Sequence, residues 1–436
     1  MSFGTTQSFV ALAVFAATYA ALILRNVREV RAPIWLILLG GAAAMVLSGS
    51  ISVDQAYQAV NIQVIAFLFG MFTMVTALDI SGALESFATH LLRRAKEPKG
   101  VLYLSFFGFA LLSTVLMNDT IALMGTPIMI SIGEKVGMRV KPLLLTLAFA
   151  ITIGSAVTPM GNPQNLLVAV SSGMREPVLQ FAYYLLIPVV IDLVLTAVFL
   201  RYLFRKDLSS TSLDKGRLAS EVMPLRDRGL ARKATAVVGL TMLAIIAVNV
   251  LGAFGFSSSF GISEVAFLGA VLLLVISGKS REILVAFDWG VLVLFAGLFV
   301  LMQAVSDNGI ISQLAGYLPS LSTGNPAGAA ASIIATSVVL SQVLSNVPMV
   351  GLYVPLMNSL GFSSATAYAW AALAGGSTLA GNLTLLGAAS NLIIAEGAER
   401  RGYKLGFYEF MKVGVLVTVI DVAVLYAYFF AVLRFF

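Results

Sequence analysis

The chain has 436 residues, 59% of them hydrophobic and only 11% charged, where soluble domains carry about 25% charged residues, and this excludes a water-soluble globular fold. With 0 Cys and one His, His90, it has no disulfide framework, no thiolate or histidine-ligated metal site and no cysteine nucleophile, so no cofactor and no metal is expected. The net charge of +6 comes from Lys and Arg lying between apolar runs, a pattern of membrane orientation rather than of nucleic-acid binding.

In chain order, apolar runs predict spans near 8–24, 33–50, 62–79, 141–170, 178–204, 235–252, 262–277, 289–305, 366–395 and 408–433. Met1 to Gln7 has no basic n-region, so the first run reads as a retained span and the mature chain as starting at residue 1. Two more apolar stretches, 100–135 and 328–360, are cut by Asn118-Asp119-Thr120 and by Ser345-Asn346, and both read as re-entrant hairpins. Ala83–Lys96 and Ile310–Leu321 are short and amphipathic, suited to lying flat at an interface. His90, beside Arg93 and Arg94 in the first of these, reads as an exposed surface residue.

The two halves match at an offset of 226 to 229 residues. Val115-Leu116-Met117-Asn118 falls over Val343-Leu344-Ser345-Asn346, Pro127 over Pro355 and Gly133 over Gly361. Thr152, Thr158, Gly161, Asn165, Leu166 and Ala169 fall over Thr378, Thr384, Gly387, Asn391, Leu392 and Ala395, and Asp192 over Asp421. Shared apolar composition would not place the matches on Asn, Pro, Gly and Asp. An odd number of spans per half turns the second copy upside down, and inverted repeats with interrupted helices mark secondary transporters. The expected fold is therefore an all-α polytopic membrane protein of about ten transmembrane helices, two re-entrant hairpins and two inverted-topology repeats with broken helices. Residues 1–204 form the first repeat, 205–234 the linker and 235–436 the second. All Lys and Arg except Arg175 and Arg434 fall on one side of this topology, which puts the linker in the cytoplasm and both termini outside a bacterial or archaeal inner membrane.

Chemistry is expected where polar residues enter the hydrocarbon zone, where they are costly unless paired or lining a cavity. Asp119 sits between Asn118 and Thr120 at a hairpin tip; it reads as a proton- or ion-coupling group, with a helix cap as the alternative. The run Gly154 to Asn165 puts Thr158, Pro159, Asn162, Pro163, Gln164 and Asn165 inside an apolar helix, and Gly381 to Asn391 does the same with Asn382, Thr384, Ser390 and Asn391. Both read as helices broken to line a site, against a competing reading of close packing by small residues. The expected substrate-binding set is Asn118, Thr120, Thr158, Asn162, Gln164, Asn165, Ser345, Asn346, Asn382, Thr384, Ser390 and Asn391. Asp192 and Asp421 are weaker candidates for a proton route, with an inter-helix contact as the more common role. A site of amides and hydroxyls without Lys or Arg suits a small neutral or weakly anionic polyhydroxyl solute.

The Asn118-Asp119-Thr120 hairpin with Thr126-Pro127, the Gly161-Asn162-Pro163-Gln164-Asn165-Leu166 break, Ser345-Asn346-Val347-Pro348, and the run from Gly381-Asn382-Leu383-Thr384 to Asn391 together resemble the arsenite permease branch of the ion transporter superfamily. That branch includes the P protein and a sodium/proton antiporter family, and the superfamily includes the divalent anion/sodium symporters. The resemblance covers nearly the whole chain. It implies a carrier holding substrate between two hairpin tips and two broken helices and moving that unit like an elevator, with Asn118, Thr120, Asn165, Asn346 and Asn391 at substrate or coupling ion. The first hairpin reads Asn-Asp-Thr and the second Ser-Asn-Val, unlike the symporters' Ser-Asn-Thr, and a titratable Asp119 favours protons over sodium.

The expected function is export of arsenite or antimonite, as an oxyanion or neutral trihydroxide, in exchange for protons. The alternative is a small-anion carrier or sodium/proton antiporter of the same fold. No nucleotide-binding motif is present, so ATP-driven operation would need a separate soluble ATPase subunit. The absence of a His-Glu-x-x-His pair and of any Cys argues against an intramembrane enzyme.

Overall fold

The computed structural model describes residues 6–28, 32–95, 97–209, 225–256, 260–315 and 323–435, and every regular element among them is helical. Most of the linker, 210–224, and the end of the second amphipathic segment, 316–321, lie outside the described residues. The first half runs α1 (Thr6–Arg28), α2 (Ile34–Leu47), α3 (Val53–Ala59), α4 (Ile62–Ser81), α5 (Ala83–Leu92), α6 (Pro98–Val115), α7 (Asn118–Val136), α8 (Val140–Ser155), α9 (Pro163–Ser171) and α10 (Pro177–Leu203), followed by the short α11 (Arg205–Ser209). The second half runs α12 (Arg228–Ala253), α13 (Ile262–Ser277), α14 (Ser280–Ala286), α15 (Trp289–Asp307), α16 (Ile310–Ala315), α17 (Pro326–Leu344), α18 (Asn346–Ser359), α19 (Ala367–Leu379), α20 (Ala389–Glu399) and α21 (Phe407–Phe435), with a 3-10 turn at Ala380–Asn382.

Among the described residues eight helices, α1, α4, α6, α10, α12, α15, α17 and α21, are long and apolar enough to cross a membrane. Two of these, α6 and α17, are arms of the expected hairpins. The run 33–50 yields only the 14-residue α2, about 21 Å long, because the chain turns out of the helix at Ser48 and Gly49, the latter at φ +72°. The first hairpin break falls slightly earlier than expected, and the second falls where expected. The first lies at Leu116–Met117, and Asn118-Asp119-Thr120 form the opening turn of α7, where short polar side chains suit a helix start. The second lies at Ser345, at φ +68° the one non-glycine residue with positive φ among those described.

The core is built from crossed pairs. α2 packs on α15 and α13 on α4, while α6 packs on α8 and α17 on α19. The second arm of each hairpin packs on the second piece of the opposite broken helix, α7 on α20 and α18 on α9, and α10 lies along α21. Small residues allow the closest approaches. A Cβ on Gly154 would overlap the carbonyl of Ala110, and one on Gly70 would stand 2.5 Å from the carbonyl of Ala266. The second tip reaches the middle of α1, where the Tyr19 hydroxyl donates to the Pro348 carbonyl at 2.9 Å. His90 is exposed at the end of α5, as expected.

Candidate functional site

Four helices, α7, α9, α18 and α20, begin at the two breaks and the two hairpin tips, so four helix N-termini, whose first N–H groups have no helical partner, meet inside the protein. The first break is closed by its own side chains. Asn162 caps α9, accepting from Asn165 N–H at 2.8 Å, and its Nδ2 donates to Ser155 Oγ and to Thr378 Oγ1 at 3.1 Å each. Asn165 Nδ2 donates to the carbonyls of Ser155, Ala156 and Thr158, and its Oδ1 accepts from the Thr378 hydroxyl at 2.9 Å. Hairpin arm α6 is stitched to the same turn: Thr114 Oγ1 donates to Gly154 O at 3.0 Å, Thr158 Oγ1 to Thr114 O at 2.5 Å, and the Asn118 N–H to Gly161 O at 2.8 Å.

The second break repeats this arrangement 226 residues on. Asn391 Nδ2 donates to Gly381 O at 2.7 Å and to Thr384 O at 3.3 Å. Gln342 of α17 takes the place of Thr114, its Nε2 donating to Ala380 O at 2.8 Å and its Oε1 accepting from Thr384 Oγ1 at 2.9 Å. One bond is missing. Thr378 donates to Asn165, but the matching pair, Thr152 Oγ1 and Asn391 Oδ1, are both buried without a partner.

Buried polar groups are nearly always hydrogen-bonded, and exceptions call for an explanation. Among the described residues several exceptions lie at the tips, the second break and the facing α8: Asn118 Oδ1, Asn346 Oδ1, Asn391 Oδ1, Ser390 Oγ and Thr152 Oγ1. A Cβ on Gly381 would stand 3.4 Å from both Asn346 Nδ2 and Thr152 Cγ2, so the second tip, the second break and α8 meet around this glycine. Asp119, Thr120, Thr158 and Ser345 are half-buried, while Gln164 is buried on the first turn of α9. Thr384 is tied to Gln342, and Asn382 points away from the tips, its Nδ2 donating to Asp421 Oδ2 at 2.7 Å.

Of the expected set, Asn118, Asn346, Asn382, Ser390 and Asn391 thus present unpaired groups, whereas Asn162, Asn165 and Thr158 spend theirs holding the first break together. Gln342 and Thr114 were missed, since each sits in an ordinary apolar stretch, and Ser155 lay within the Gly154 to Asn165 run without being singled out. Thr152 and Thr378 were visible only as matched positions. A cavity of about 630 Å³ opens elsewhere, between the end of α9, the start of α10 and the α12–α13 turn, lined by Gln63, Met174, Arg175, Glu176, Asn249 and Glu264.

Residues 19–375 match the family model described as citrate transporter. The chain belongs to the citrate transporter family. An uncharacterized transporter of Mycobacterium tuberculosis is 32% identical over 432 residues, covering 96% of each chain, and a 46 kDa membrane protein of Mycobacterium leprae is 31% identical with 96% and 97% covered. The P protein of mouse is 23% identical over 93% of this chain and 58% of its own length, in keeping with the superfamily resemblance. Among solved structures, the YdaH transporter of Alcanivorax borkumensis superposes with a TM-score of 0.59 at 15% identity over 85% of each chain. MtrF of Neisseria gonorrhoeae gives 0.53 at 12% identity over 97% of this chain and 94% of its own. Both are membrane transporters, and the likeness is one of fold. This citrate transporter family member is therefore a multi-pass membrane transporter and not an enzyme.

Proposed function

We propose that this family member is a secondary active carrier of a small oxygen-rich anion of the carboxylate class, bound between the hairpin tips and the second helix break. One observation carries this reading: buried groups of Asn118, Asn346, Asn391, Ser390 and Thr152 without a partner lie at the tips and the second break, where helices begin. The Ser390 and Thr152 hydroxyls, the Nδ2 groups of Asn118 and Asn346 and the helix N-termini can donate to an anion, while the amide Oδ1 atoms accept from its hydroxyl or protonated carboxyl groups. The family description adds citrate as the first solute to test. The halves 1–204 and 235–436 act as inverted repeats, the hairpins re-enter, and the linker 205–234 lies in the cytoplasm with both termini outside. Asp119, half-buried beside Asn118 without a hydrogen bond among the described residues, exchanges the coupling proton, with sodium as the alternative ion.

A second reading is export of arsenite or antimonite. It is favoured by the absence of Lys, Arg and His from the site residues, which suits a neutral trihydroxide. Proteoliposomes containing the purified chain decide between them. Saturable citrate counterflow, inhibited by other carboxylates and indifferent to arsenite, supports the first; arsenite counterflow with no citrate movement supports the second. Movement without saturation or counterflow would argue for a channel and against both. Gradient-driven uptake with Asp119→Asn tests the coupling residue, which is rejected if the variant still follows an imposed proton gradient.

A further inference from the structure

α10 and α21 pack side by side, and each contributes to their buried faces a carboxylate that is 0% exposed, Asp192 and Asp421. Asp421 is supplied with donors: Asn382 Nδ2 reaches Oδ2 at 2.7 Å and the Thr196 hydroxyl reaches Oδ1 at 3.4 Å. Thr196 stands one turn beyond Asp192 on the same buried face of α10, so Asp192 faces Asp421 across the helix contact. Asp192 has no donor at either oxygen. Asn382 Oδ1 and the Thr418 hydroxyl, three residues before Asp421, are also buried and unpartnered.

The offsets of the sequence match explain why the two carboxylates differ. Asp192 corresponds to Asp421, but Ala156 stands where Asn382 would be and Leu425 where Thr196 would be. Both donors that serve Asp421 are therefore replaced by apolar residues around Asp192. A buried carboxylate without donors or a counter-charge is strongly disfavoured as an ion. No cation stands by to relieve it. The charged groups of the packed helices lie in their end turns: Lys99 of α6, Lys141 of α8, Arg201 of α10, and Glu409 and Lys412 of α21, with Arg228, Arg232 and Lys233 opening α12. At the other end stand Glu176 at the N-cap of α10 and Arg434 in the last turn of α21, with the hydroxyls of Tyr183, Tyr184, Tyr368, Tyr426 and Tyr428. α17 and the 3-10 turn contribute no titratable group.

We propose that Asp192 and Asp421 form a proton-binding site, distinct from the hairpin tips, in which the pair holds one proton and Asn382 ties its occupancy to the second helix break. Protonation converts one carboxylate to a carboxylic acid and supplies the missing donor. Loss of the proton leaves two facing negative charges whose repulsion bears on Asn382 and hence on the Ala380–Asn382 turn. This role in coupling rests on the carrier reading above; the proton site itself does not.

Infrared difference spectroscopy on the full chain in detergent, without any solute, reads the proton directly. The carboxylic C=O stretch should persist at neutral pH in the wild type, vanish in Asp192→Asn, where Asp421 keeps its donors and ionises, and survive with a shift in Asp421→Asn. No such band in the wild type, or a band untouched by both substitutions, overturns the site. A band that disappears when sodium replaces choline at fixed pH shows a cation site instead and also overturns it. In proteoliposomes, Asp192→Asn should retain counterflow while losing proton-driven accumulation at least tenfold; unchanged accumulation removes the pair from coupling. If the wild type moves neither citrate nor arsenite, the carrier reading fails while the infrared result still decides the proton site.

Discussion

Asn165 and Asn391 hold their helix breaks with the same pair of bonds. Each side-chain Nδ2 donates to the carbonyls ten and seven residues behind it, Ser155 and Thr158 for Asn165, and Gly381 and Thr384 for Asn391. They differ at the oxygen, which accepts from Thr378 in Asn165 and is unpartnered in Asn391. Asn165→Ala should therefore destabilise the protein by about 2–4 kcal/mol, since it strands buried carbonyls and a hydroxyl. Asn391→Ala should cost less stability and more transport. Thermal unfolding in detergent, set beside uptake, checks the contrast; equal losses of stability would contradict it.

Asn118 and Asn346 make no side-chain hydrogen bond among the described residues and are 3% and 4% exposed. Replacing either by Ala removes a group that nothing inside the protein uses. Melting temperature should stay unchanged while KM rises about 10- to 100-fold, the size of one or two hydrogen bonds to a charged solute. Uptake kinetics over a concentration series provide the reading. A fall in kcat alone would place these amides outside the binding site.

The chain contains 0 Cys, so single cysteines can be introduced without background. Lys215→Cys in the linker should resist a membrane-impermeant maleimide applied to intact cells and react after lysis. Arg175→Cys, on the α9–α10 turn, should label in intact cells. The reverse pattern would invert the proposed orientation.

Asp227 caps α12, accepting from Leu230 N–H at 2.9 Å, and pairs with Lys279 Nζ at 3.1 Å. The Leu230 N–H bond first, then Lys279, hold its carboxyl below the usual carboxylate range. A depressed folded-state value means that the contribution to stability is complete above the ordinary range and is lost as pH falls through the folded value. The mirror case is Lys279, raised chiefly by its bond to Asp227; its contribution is complete below the ordinary lysine range and is lost as pH climbs through the raised value. Asp227→Asn should flatten the acid limb of a stability-against-pH curve and leave the neutral region nearly unchanged, as expected for an exposed pair.

Gly154 lies against the backbone of Ala110. Gly154→Ala should force α6 from α8, weaken the Thr114–Gly154 bond and cost about 1–3 kcal/mol as an overpacked contact. Gly239, whose added Cβ meets nothing within 4 Å, provides the control: Gly239→Ala in the same assay should be neutral or slightly stabilising.

Much of this arrangement was legible beforehand for a local reason. Pro163 with Asn162 before it, and Gly381 with Asn382 after it, interrupt apolar helices whatever surrounds them, so both breaks could be placed from the chain alone. The spacing of 226 residues was legible too, and it carried Thr152 and Thr378 along unremarked. The first hairpin break was displaced because Leu116 and Met117 are apolar residues in extended backbone, and nothing in their side chains announces a turn. Gln342 was invisible because a single polar residue in an apolar helix has many possible partners.

Composition, hydropathy period and repeat spacing determined by themselves that this chain enters a membrane, that it is helical and where its helices break, because each depends on neighbours in sequence. Only the tertiary structure decided which polar groups are consumed within the fold and which are left open. Asn162 and Asn165 looked as free as Asn118 and Asn346 until Thr378 and Ser155 were brought beside them, and Asp192 looked like Asp421 until only one of them received its donors. Satisfaction of a hydrogen bond is a property of two groups at one distance, and helices far apart in the chain set that distance.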